Sequence, residues 1–228
     1  MSSEQMLQEL YQAKEAYYFH GERHEMLPFI PLQSSMILEI GCGYGNFGKL
    51  LKERSPVQVW GIEIEEQAAA IANQKLDKVI CSAFSRELNL PEKSFDCIIF
   101  NDVLEHLVDP FEALLYCKNL LRVDGIVVAS IPNVRFFYNM ISLVLDGDWE
   151  YADDGILDRT HLRFFTYRSI LNMFERLGYS VESIQGLNSI AQLSFPGRLR
   201  YFNGLLKLFS HKVEDMRHLQ FGVVAKPK

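Results

Sequence analysis

The chain has 228 residues, of which 48% are hydrophobic and 23% are charged, and its formal net charge at pH 7 is -6. This length and composition suit one globular α/β domain with a small appendage. The acidic balance argues against broad binding to nucleic acids or to anionic membrane surfaces, so we expect neither as a partner.

The sequence contains no pattern that is typical of a signal peptide or a transmembrane segment. Its N-terminus is polar and acidic, whereas a secretory signal is basic and then apolar. The longest apolar region, 126–145, is interrupted by Pro132, Asn133 and Arg135 and is too broken to cross a bilayer. The cysteines show no C-x-x-C pairing, which favours reduced thiols in the core. We therefore expect a cytoplasmic protein without membrane contact.

Residues 3–19 have apolar side chains at helical spacing, and the spacing predicts a helix that ends near Gly21. Pro28 and Pro31 mark a linker, so we expect residues 1–30 to be an appendage of a main domain at 31–228. The aromatic cluster at 17–19 either docks the helix on the core or lines a ligand cleft.

A predicted strand at 36–40 ends abruptly at Gly41. The glycines at positions 41, 43 and 45 then predict a tight turn, and a helical pattern begins near Asn46. Such a turn lets backbone N–H groups approach a ligand at a helix N-terminus. We expect a nucleotide-like cofactor at this turn.

Strand and helix patterns then alternate along the chain. Strands are predicted at 57–64, 79–83, 95–101 and 126–131, and helices at 47–53, 65–75 and 111–121. This alternation predicts a doubly wound α/β fold with a mostly parallel sheet. Ligands bind beyond the carboxyl ends of the strands in such sheets, which directs attention to Gly41, Glu63, Ala83, Asn101 and Ile131.

Two long stretches depart from the alternation. Residues 133–165 precede a predicted helix at Thr166, and residues 188–219 separate two further strands predicted at 180–185 and 220–225. We expect both insertions to form a lid over the cofactor. The amphipathic segment in the second insertion could instead pack on the core or form a homodimer interface.

The glycine turn contains a literal G-x-G-x-x-G from Gly43 to Gly48, which alone would suggest a dinucleotide site. However, Gly41 is the glycine that directly follows the strand, and Glu39 lies inside the strand before it. The stretch Ile37-Leu-Glu-Ile-Gly-Cys-Gly-Tyr-Gly resembles the first motif of class I S-adenosylmethionine-dependent methyltransferases. The resemblance continues at 60–64, 95–107 and 120–126, and the stretch 158–166 resembles one that recurs in a bacterial subgroup of the family linked to quinone or saccharide pathways.

The resemblance implies a Rossmann-like sheet of seven strands whose last strand runs antiparallel, with S-adenosylmethionine as the cofactor. The cofactor-binding residues that it implies are Glu39, Gly41, Cys42, Gly43, Glu63, Ile64, Ala83, Phe84 and Asn101. Glu39 and Gly41 would lie near the methionine end, and Glu63 would accept hydrogen bonds from the ribose hydroxyls. Ser82 stands where the family usually has an acidic residue for the adenine amine.

Two histidines are candidate catalytic residues. His161 follows the Asp158-Arg-Thr stretch at the end of the first insertion, and it is either a general base or an anchor for the lid. His106 lies just beyond the fourth predicted strand, where it acts as a base or fixes the loop. The set Asp102-x-x-Glu105-His106 resembles one that binds a divalent ion in some methyltransferases, but it could instead cap the next helix. We expect no metal.

These patterns together predict an enzyme that transfers a methyl group from S-adenosylmethionine to a small-molecule acceptor, on oxygen rather than nitrogen or carbon. A methyltransferase that acts on protein or RNA and a catalytically silent cofactor-binding module are the alternatives. Basic residues in the insertions would either pair with an anionic acceptor or neutralise nearby acidic side chains; these are Arg159, Arg163, Arg198 and Arg200.

Overall fold

A computed structural model describes residues 14, 16–190 and 213–228 of the chain. Its centre is a seven-stranded sheet in the order β3-β2-β1-β4-β5-β7-β6. The strands are β1 (Met36–Ile40), β2 (Gln58–Glu63), β3 (Lys78–Cys81), β4 (Phe95–Asn101), β5 (Leu121–Pro132), β6 (Tyr179–Ser189) and β7 (His218–Pro227). Strand β7 runs antiparallel to both β5 and β6, and the pairs among β1 to β5 are parallel. The predicted sheet and its antiparallel last strand are confirmed.

Helices cover the sheet. The α-helices are α1 (Asn46–Arg54), α2 (Glu66–Ala72), α3 (Pro110–Leu120), α4 (Phe137–Ile141) and α5 (Tyr167–Arg176). Short 3-10 turns lie at Ala16–His20, His24–Phe29, Arg86–Leu88, Leu104–His106 and Glu214–Arg217, and a π-helical turn at Ser142–Asp146 follows α4. The described residues contain no helix that combines the length and the apolar character needed to cross a membrane.

Side-chain caps explain where two of these helices begin. The Asp109 carboxylate accepts a hydrogen bond from the Glu112 N–H, with Pro110 at the first helical position of α3. Thr166 and Ser169 form a reciprocal capping box at the start of α5. Because Asp109 caps α3, the interpretation of Asp102, Glu105 and His106 as a helix cap is wrong.

The central strands bury side chains on both faces of the sheet. In β5, Val127, Ala129 and Ile131 pack into one hydrophobic cluster, whereas Val128 packs into the other. Strand β4 divides its side chains in the same way. Burial on both faces is the reason that these strands have nearly continuous apolar sequences.

Several predicted boundaries differ from the structure. Strand β5 begins at Leu121 rather than at residue 126, and α2 ends at Ala72 rather than near residue 75. The described end of the predicted N-terminal helix is the 3-10 turn Ala16–His20, and residues 1–13 and 15 lie outside the described residues. So does most of the second insertion, 191–212, with Arg198, Arg200 and the amphipathic segment. Three cysteines are buried as expected, but Cys81 is exposed.

The first insertion leaves and rejoins the domain at one point. Asn133 and Phe165 form an isolated β-bridge, and the Val134 N–H donates to the Phe165 carbonyl at 2.9 Å. Within the insertion, Ala152 and Asp158 form a second bridge. The insertion is therefore a closed loop whose two ends are fixed beside the end of β5.

Candidate functional site

A cleft of about 1310 Å³ lies at the carboxyl ends of β1, β2 and β4. The order of the sheet creates it, because the chain passes from β3 back across the sheet to β4 on the other side of β1. All the predicted site residues line it: Glu39, Gly41, Cys42, Gly43, Glu63, Ile64, Ala83, Phe84, Asn101, His106 and His161. The structure thus brings together residues that are up to 122 positions apart in the sequence.

Glu63 closes the glycine turn from the end of β2. Its Oε2 accepts the Gly43 N–H at 2.8 Å, and its Oε1 accepts the N–H groups of Ile64 and Glu65 at 2.9 and 3.0 Å. Burial raises the pKa of Glu63, and the three N–H donors oppose this effect. A carboxylate offers about four lone-pair sites, so about one remains for a ligand donor.

Glu39 and Asn101 bring unsatisfied polar atoms to the floor of the cleft. Among the described residues, no hydrogen-bond partner exists for Glu39 Oε2 or for either amide atom of Asn101. Burial raises the pKa of Glu39 to about 8. A buried polar atom without a partner is costly, so this part of the cleft suits a ligand that donates hydrogen bonds.

The 3-10 turn Ala16–His20 crosses the glycine turn, which the sequence patterns did not predict. The Tyr44 N–H donates to the Phe19 carbonyl at 3.0 Å, and the two rings stack with centroids 5.7 Å apart. A Cβ atom at Gly43 would lie 2.7 Å from the Phe19 oxygen. Tyr18 and Phe19 also line the cleft, so Phe19 both docks the segment and faces the site.

Arg23 ties this N-terminal segment to the ends of three strands. Its guanidinium pairs with Asp102 and donates to Ser130 Oγ at 2.8 Å and to Gln220 Oε1 at 3.2 Å. Burial alone would raise the pKa of Asp102, but the Arg23 charge and hydrogen bond, with Ser130, hold it below its ordinary value. Asp102 is thus engaged by an arginine that sequence reasoning did not single out.

The two candidate histidines meet in the lining of the cleft, with ring centroids 4.6 Å apart. His161 Nδ1 lies 2.8 Å from the Ile156 carbonyl, so Nδ1 carries the proton and Nε2 is an acceptor. Burial lowers the pKa of both rings, that of His106 to about 4. Both histidines are therefore neutral at pH 7 and can accept a proton or bind a metal ion.

Glu105 lies against this pair of histidines. Its Oε1 is 3.9 Å from His161 Nε2, and neither carboxyl oxygen has a hydrogen-bond partner among the described residues. Burial and the charge of Asp102 raise the pKa of Glu105 well above its ordinary value. One ligand atom each of Glu105, His106 and His161 lies within 4.8 Å of the others, so these three side chains could hold a divalent ion.

The arginines of the first insertion are used within the protein. Arg159 Nε pairs with Asp153 at 3.1 Å, and the Arg163 guanidinium donates to the Val108 carbonyl at 2.7 Å. Neither residue lines the cleft. Of the two predicted roles, the Arg159 pair favours neutralisation of an acidic side chain inside the insertion, whereas Arg163 donates to a backbone carbonyl outside the insertion.

Comparisons with known proteins agree on one family. A family model described as "Methyltransferase domain" matches residues 11–184. A probable S-adenosylmethionine-dependent methyltransferase of Mycolicibacterium smegmatis is 27% identical over 152 residues, which are 66% of this chain and 54% of that protein. The chain thus spans about half the length of that relative.

Two further similarities extend the match. The ubiquinone biosynthesis O-methyltransferase of Neisseria meningitidis is 28% identical over 167 residues, or 68% of each chain. The crystal structure of a SAM-dependent methyltransferase from Archaeoglobus fulgidus superimposes with a TM-score of 0.64 at 20% identity and covers 99% of this chain and 100% of that one. At this identity, the structural match supports the fold alone.

Proposed function

Since the chain belongs to the class I S-adenosylmethionine-dependent methyltransferases, we propose that it transfers the cofactor's methyl group to a hydroxyl oxygen of a small-molecule acceptor. The proposal rests on the arrangement of polar side chains in one cleft. Unsatisfied acceptor atoms lie at its floor, and two neutral histidines lie at the ends of β4 and the first insertion.

The cofactor end of the cleft fits S-adenosylmethionine by the chemistry of its side chains. Glu39 Oε2 and Asn101 Oδ1 can accept hydrogen bonds from an ammonium group, which would relieve the cost of burying them without a partner. Glu63 retains about one acceptor site for a ribose hydroxyl, fewer than the two predicted from its side chain alone. When bound, the cofactor supplies an electrophilic methyl group on a sulfonium centre.

We assign His161 the role of general base. The Ile156 carbonyl fixes the ring with a proton on Nδ1, so Nε2 can accept the proton that an acceptor hydroxyl loses as its oxygen is methylated. The burial that lowers the pKa of His161 keeps this base unprotonated at pH 7. Anchoring of the insertion remains the competing role, because the same hydrogen bond would serve it.

Small molecules are the acceptor class that the available features favour. The Neisseria relative is named for ubiquinone biosynthesis, and this chain has a net charge of -6, which disfavours RNA. The acceptor contacts would come from the first insertion, which contributes Ile156, Asp158 and His161 to the cleft lining. Methylation of a protein and a silent cofactor-binding role are the alternatives.

Two measurements on the full chain separate these outcomes. Calorimetric titration with S-adenosylmethionine tests binding, with NAD as the control ligand, and we expect binding of the first alone. A screen of hydroxylated small molecules for S-adenosylhomocysteine release then tests turnover. Absence of binding at millimolar cofactor would overturn the cofactor assignment, and binding without turnover on any acceptor would favour the silent module.

A divalent ion at Glu105, His106 and His161 is a second candidate for activating the acceptor. The proximity of the three ligand atoms favours it, whereas our assignment of His161 as a proton acceptor requires its Nε2 to be free of metal. Metal analysis of purified protein, with turnover measured before and after EDTA, decides between them. Full turnover after metal removal supports the base, and loss that Mg²⁺, Mn²⁺ or Zn²⁺ restores supports the ion.

A further inference from the structure

A short buried turn that contains Asp158 and Thr160 contacts the His106 ring at its Nδ1 atom. Asp158 Oδ1 accepts both the Thr160 N–H at 2.8 Å and the Thr160 hydroxyl proton at 2.7 Å. Asp158 and Thr160 are each 1% exposed, and Lys14 Nζ lies 2.5 Å from the other carboxylate oxygen. Burial opposes the charged form of Asp158, but the hydrogen bonds from Lys14 and Thr160 lower its pKa, so the carboxylate can only accept.

This geometry determines which nitrogen of His106 carries the proton. The Thr160 hydroxyl proton is used by Asp158, so Thr160 Oγ1 can only accept from His106 Nδ1, which lies 3.0 Å away. The Thr160 carbonyl lies 3.2 Å from the same nitrogen and is also an acceptor. Two acceptors therefore face His106 Nδ1, and the nitrogen must be protonated to satisfy either of them.

We propose that Thr160, oriented by Asp158, is a positioning residue that holds neutral His106 in the Nδ1–H tautomer and so leaves Nε2 as its acceptor atom. His161 is held in the same tautomer by a different acceptor, the Ile156 carbonyl. The two neighbouring imidazoles therefore have the same nitrogen protonated, and the acceptor Nε2 of His106 lies 3.4 Å from the Tyr18 hydroxyl. The value of this arrangement to catalysis rests on the proposed function, but the tautomer itself does not.

The tautomer can be measured without cofactor or acceptor. Long-range proton–nitrogen NMR correlation of the full-length, nitrogen-15-labelled protein at pH 7.5 separates the two ring nitrogens of each histidine, and His106→Gln identifies the His106 signals. We expect protonated Nδ1 and unprotonated Nε2 at His106. A histidine in water favours the opposite tautomer, so this result would require a local acceptor. Protonated Nε2 in the wild type would overturn the proposal.

Matched variants then test the Thr160 side chain. Thr160→Val removes the hydroxyl but keeps the carbonyl, and we expect the His106 nitrogen shifts to move toward the Nε2–H state. Thr160→Ser keeps the hydroxyl and is expected to retain the wild-type shifts. Unchanged His106 shifts in Thr160→Val would show that the carbonyl alone suffices and would overturn the role of the side chain.

The signals of His161 serve as an internal control in every spectrum, because its tautomer depends on Ile156 rather than on Thr160. If Thr160→Val disturbs both histidines, Thr160→Ala provides a second variant with less steric change. With an acceptor identified, Thr160→Val should lower kcat by about tenfold or more, leave the KM for S-adenosylmethionine unchanged, and be rescued by serine. Failure of cofactor binding would overturn the proposed function and leave the tautomer result intact.

Discussion

At the scale of single residues, Glu39 has the most unusual environment in the cleft. It is 2% exposed inside a central strand, and its Oε2 has no hydrogen-bond partner among the described residues. Burial raises its pKa from an ordinary value of 4.5 to about 8. The folded protein therefore holds the proton of this carboxyl group more tightly than the unfolded chain does, and stability depends on pH.

Glu39→Gln should change the pH dependence of stability in a defined direction. Because the folded-state pKa is raised, the contribution of Glu39 is fully present below about pH 4.5 and is lost as the pH rises through about 8. Glutamine stays neutral, so the variant should match the wild type at about pH 4 and be more stable by about 2–5 kcal/mol at pH 9. Urea unfolding of the unliganded protein at both values measures this difference.

The control for this experiment is Glu53→Gln, which changes an exposed carboxylate in α1 paired with Lys49 at 3.5 Å. We expect it to alter stability by less than about 0.5 kcal/mol at either pH. Equal stability of Glu39→Gln and the wild type at pH 9 would contradict a buried charge at Glu39.

The same residue should couple cofactor binding to proton release. If Glu39 faces the ammonium group, binding favours its charged form, so the affinity advantage of the wild type over Glu39→Gln should grow as the pH rises from 6 to 8. Titrations of both proteins over this range measure the ratio of their dissociation constants for the cofactor. Ionisation of the cofactor affects both proteins equally and cancels in this ratio. A constant ratio would mean that Glu39 keeps its proton and interacts with another part of the ligand.

At the scale of elements, the N-terminal segment and the glycine turn depend on each other. Gly43 has φ +50°, and an added Cβ would lie 2.7 Å from the Phe19 carbonyl oxygen. Gly147 has φ +68° with open space around it, so Gly147→Ala measures the conformational cost alone, about 1 kcal/mol. Gly43→Ala should cost more than this control in thermal or urea unfolding, because either Phe19 or the turn must move. Equal costs would show that the N-terminal segment moves away from residue 43 without a measurable loss of stability.

A second element-scale prediction concerns the ion pair that joins this segment to the sheet. Asp102 and Asp124 both have positive φ, at 53° and 70°, a conformation that asparagine tolerates well. Asp102 is paired with Arg23 beneath the segment, whereas Asp124 makes an exposed pair with Lys226. Asp102→Asn should therefore destabilise the protein by about 1–3 kcal/mol and Asp124→Asn by less than about 0.5 kcal/mol in urea unfolding.

Similar losses at the two positions would contradict a stabilising role of the Arg23 pair. Limited proteolysis of both variants adds a local measurement, since a segment released from the sheet should be cut faster at Arg23. Faster cutting in Asp124→Asn would instead indicate a global loss of stability.

At the scale of the whole molecule, the cleft joins parts of the chain that should respond together to a ligand. Hydrogen exchange should be slowest in β1, β4 and β5, because each of them is paired on both sides with strands that are not edge strands. Addition of S-adenosylmethionine should slow exchange at 18–23, 41–45 and 63–65 simultaneously. Slowing at the glycine turn without any change at 18–23 would show that the N-terminal segment is not part of the ligand site.

The sequence predicted this architecture because its central strands have the simplest local patterns. Strands β1 and β4 have the predicted bounds, since each is an apolar run that ends where the chain turns toward the cleft. Strand β5 begins earlier than predicted because Leu121 pairs with Phe95 through the backbone, and Arg122 and Asp124 carry no strand-like pattern. Backbone pairing, unlike burial, has little influence on which residue types a strand contains.

The site was predictable to a similar degree. Residues at the carboxyl ends of strands, such as Glu63 and Asn101, could be placed in the cleft from the order of the elements alone. The roles of Arg23 and Thr160 could not be predicted, because they depend on contacts with Asp102 and His106 that no local periodicity encodes. For Phe19 the sequence left docking and cleft lining as alternatives, and its contact with Tyr44 was not predictable. Arg23, whose backbone lies in the left-handed region at φ 50°, and the buried Thr160 are recognisable as functional only once their partners are known.

The bridge between Asn133 and Phe165 bears on how such enzymes diversify. A loop whose ends already meet can be exchanged between relatives as a cassette without repacking the sheet. Here the cassette carries Thr160, the proposed base His161 and part of the cleft lining, namely Gly155, Ile156 and Asp158. If these proposals hold, an exchange of residues 135–164 would import part of the acceptor pocket together with its base and the contact that holds His106, so that recognition and chemistry would be inherited as one unit.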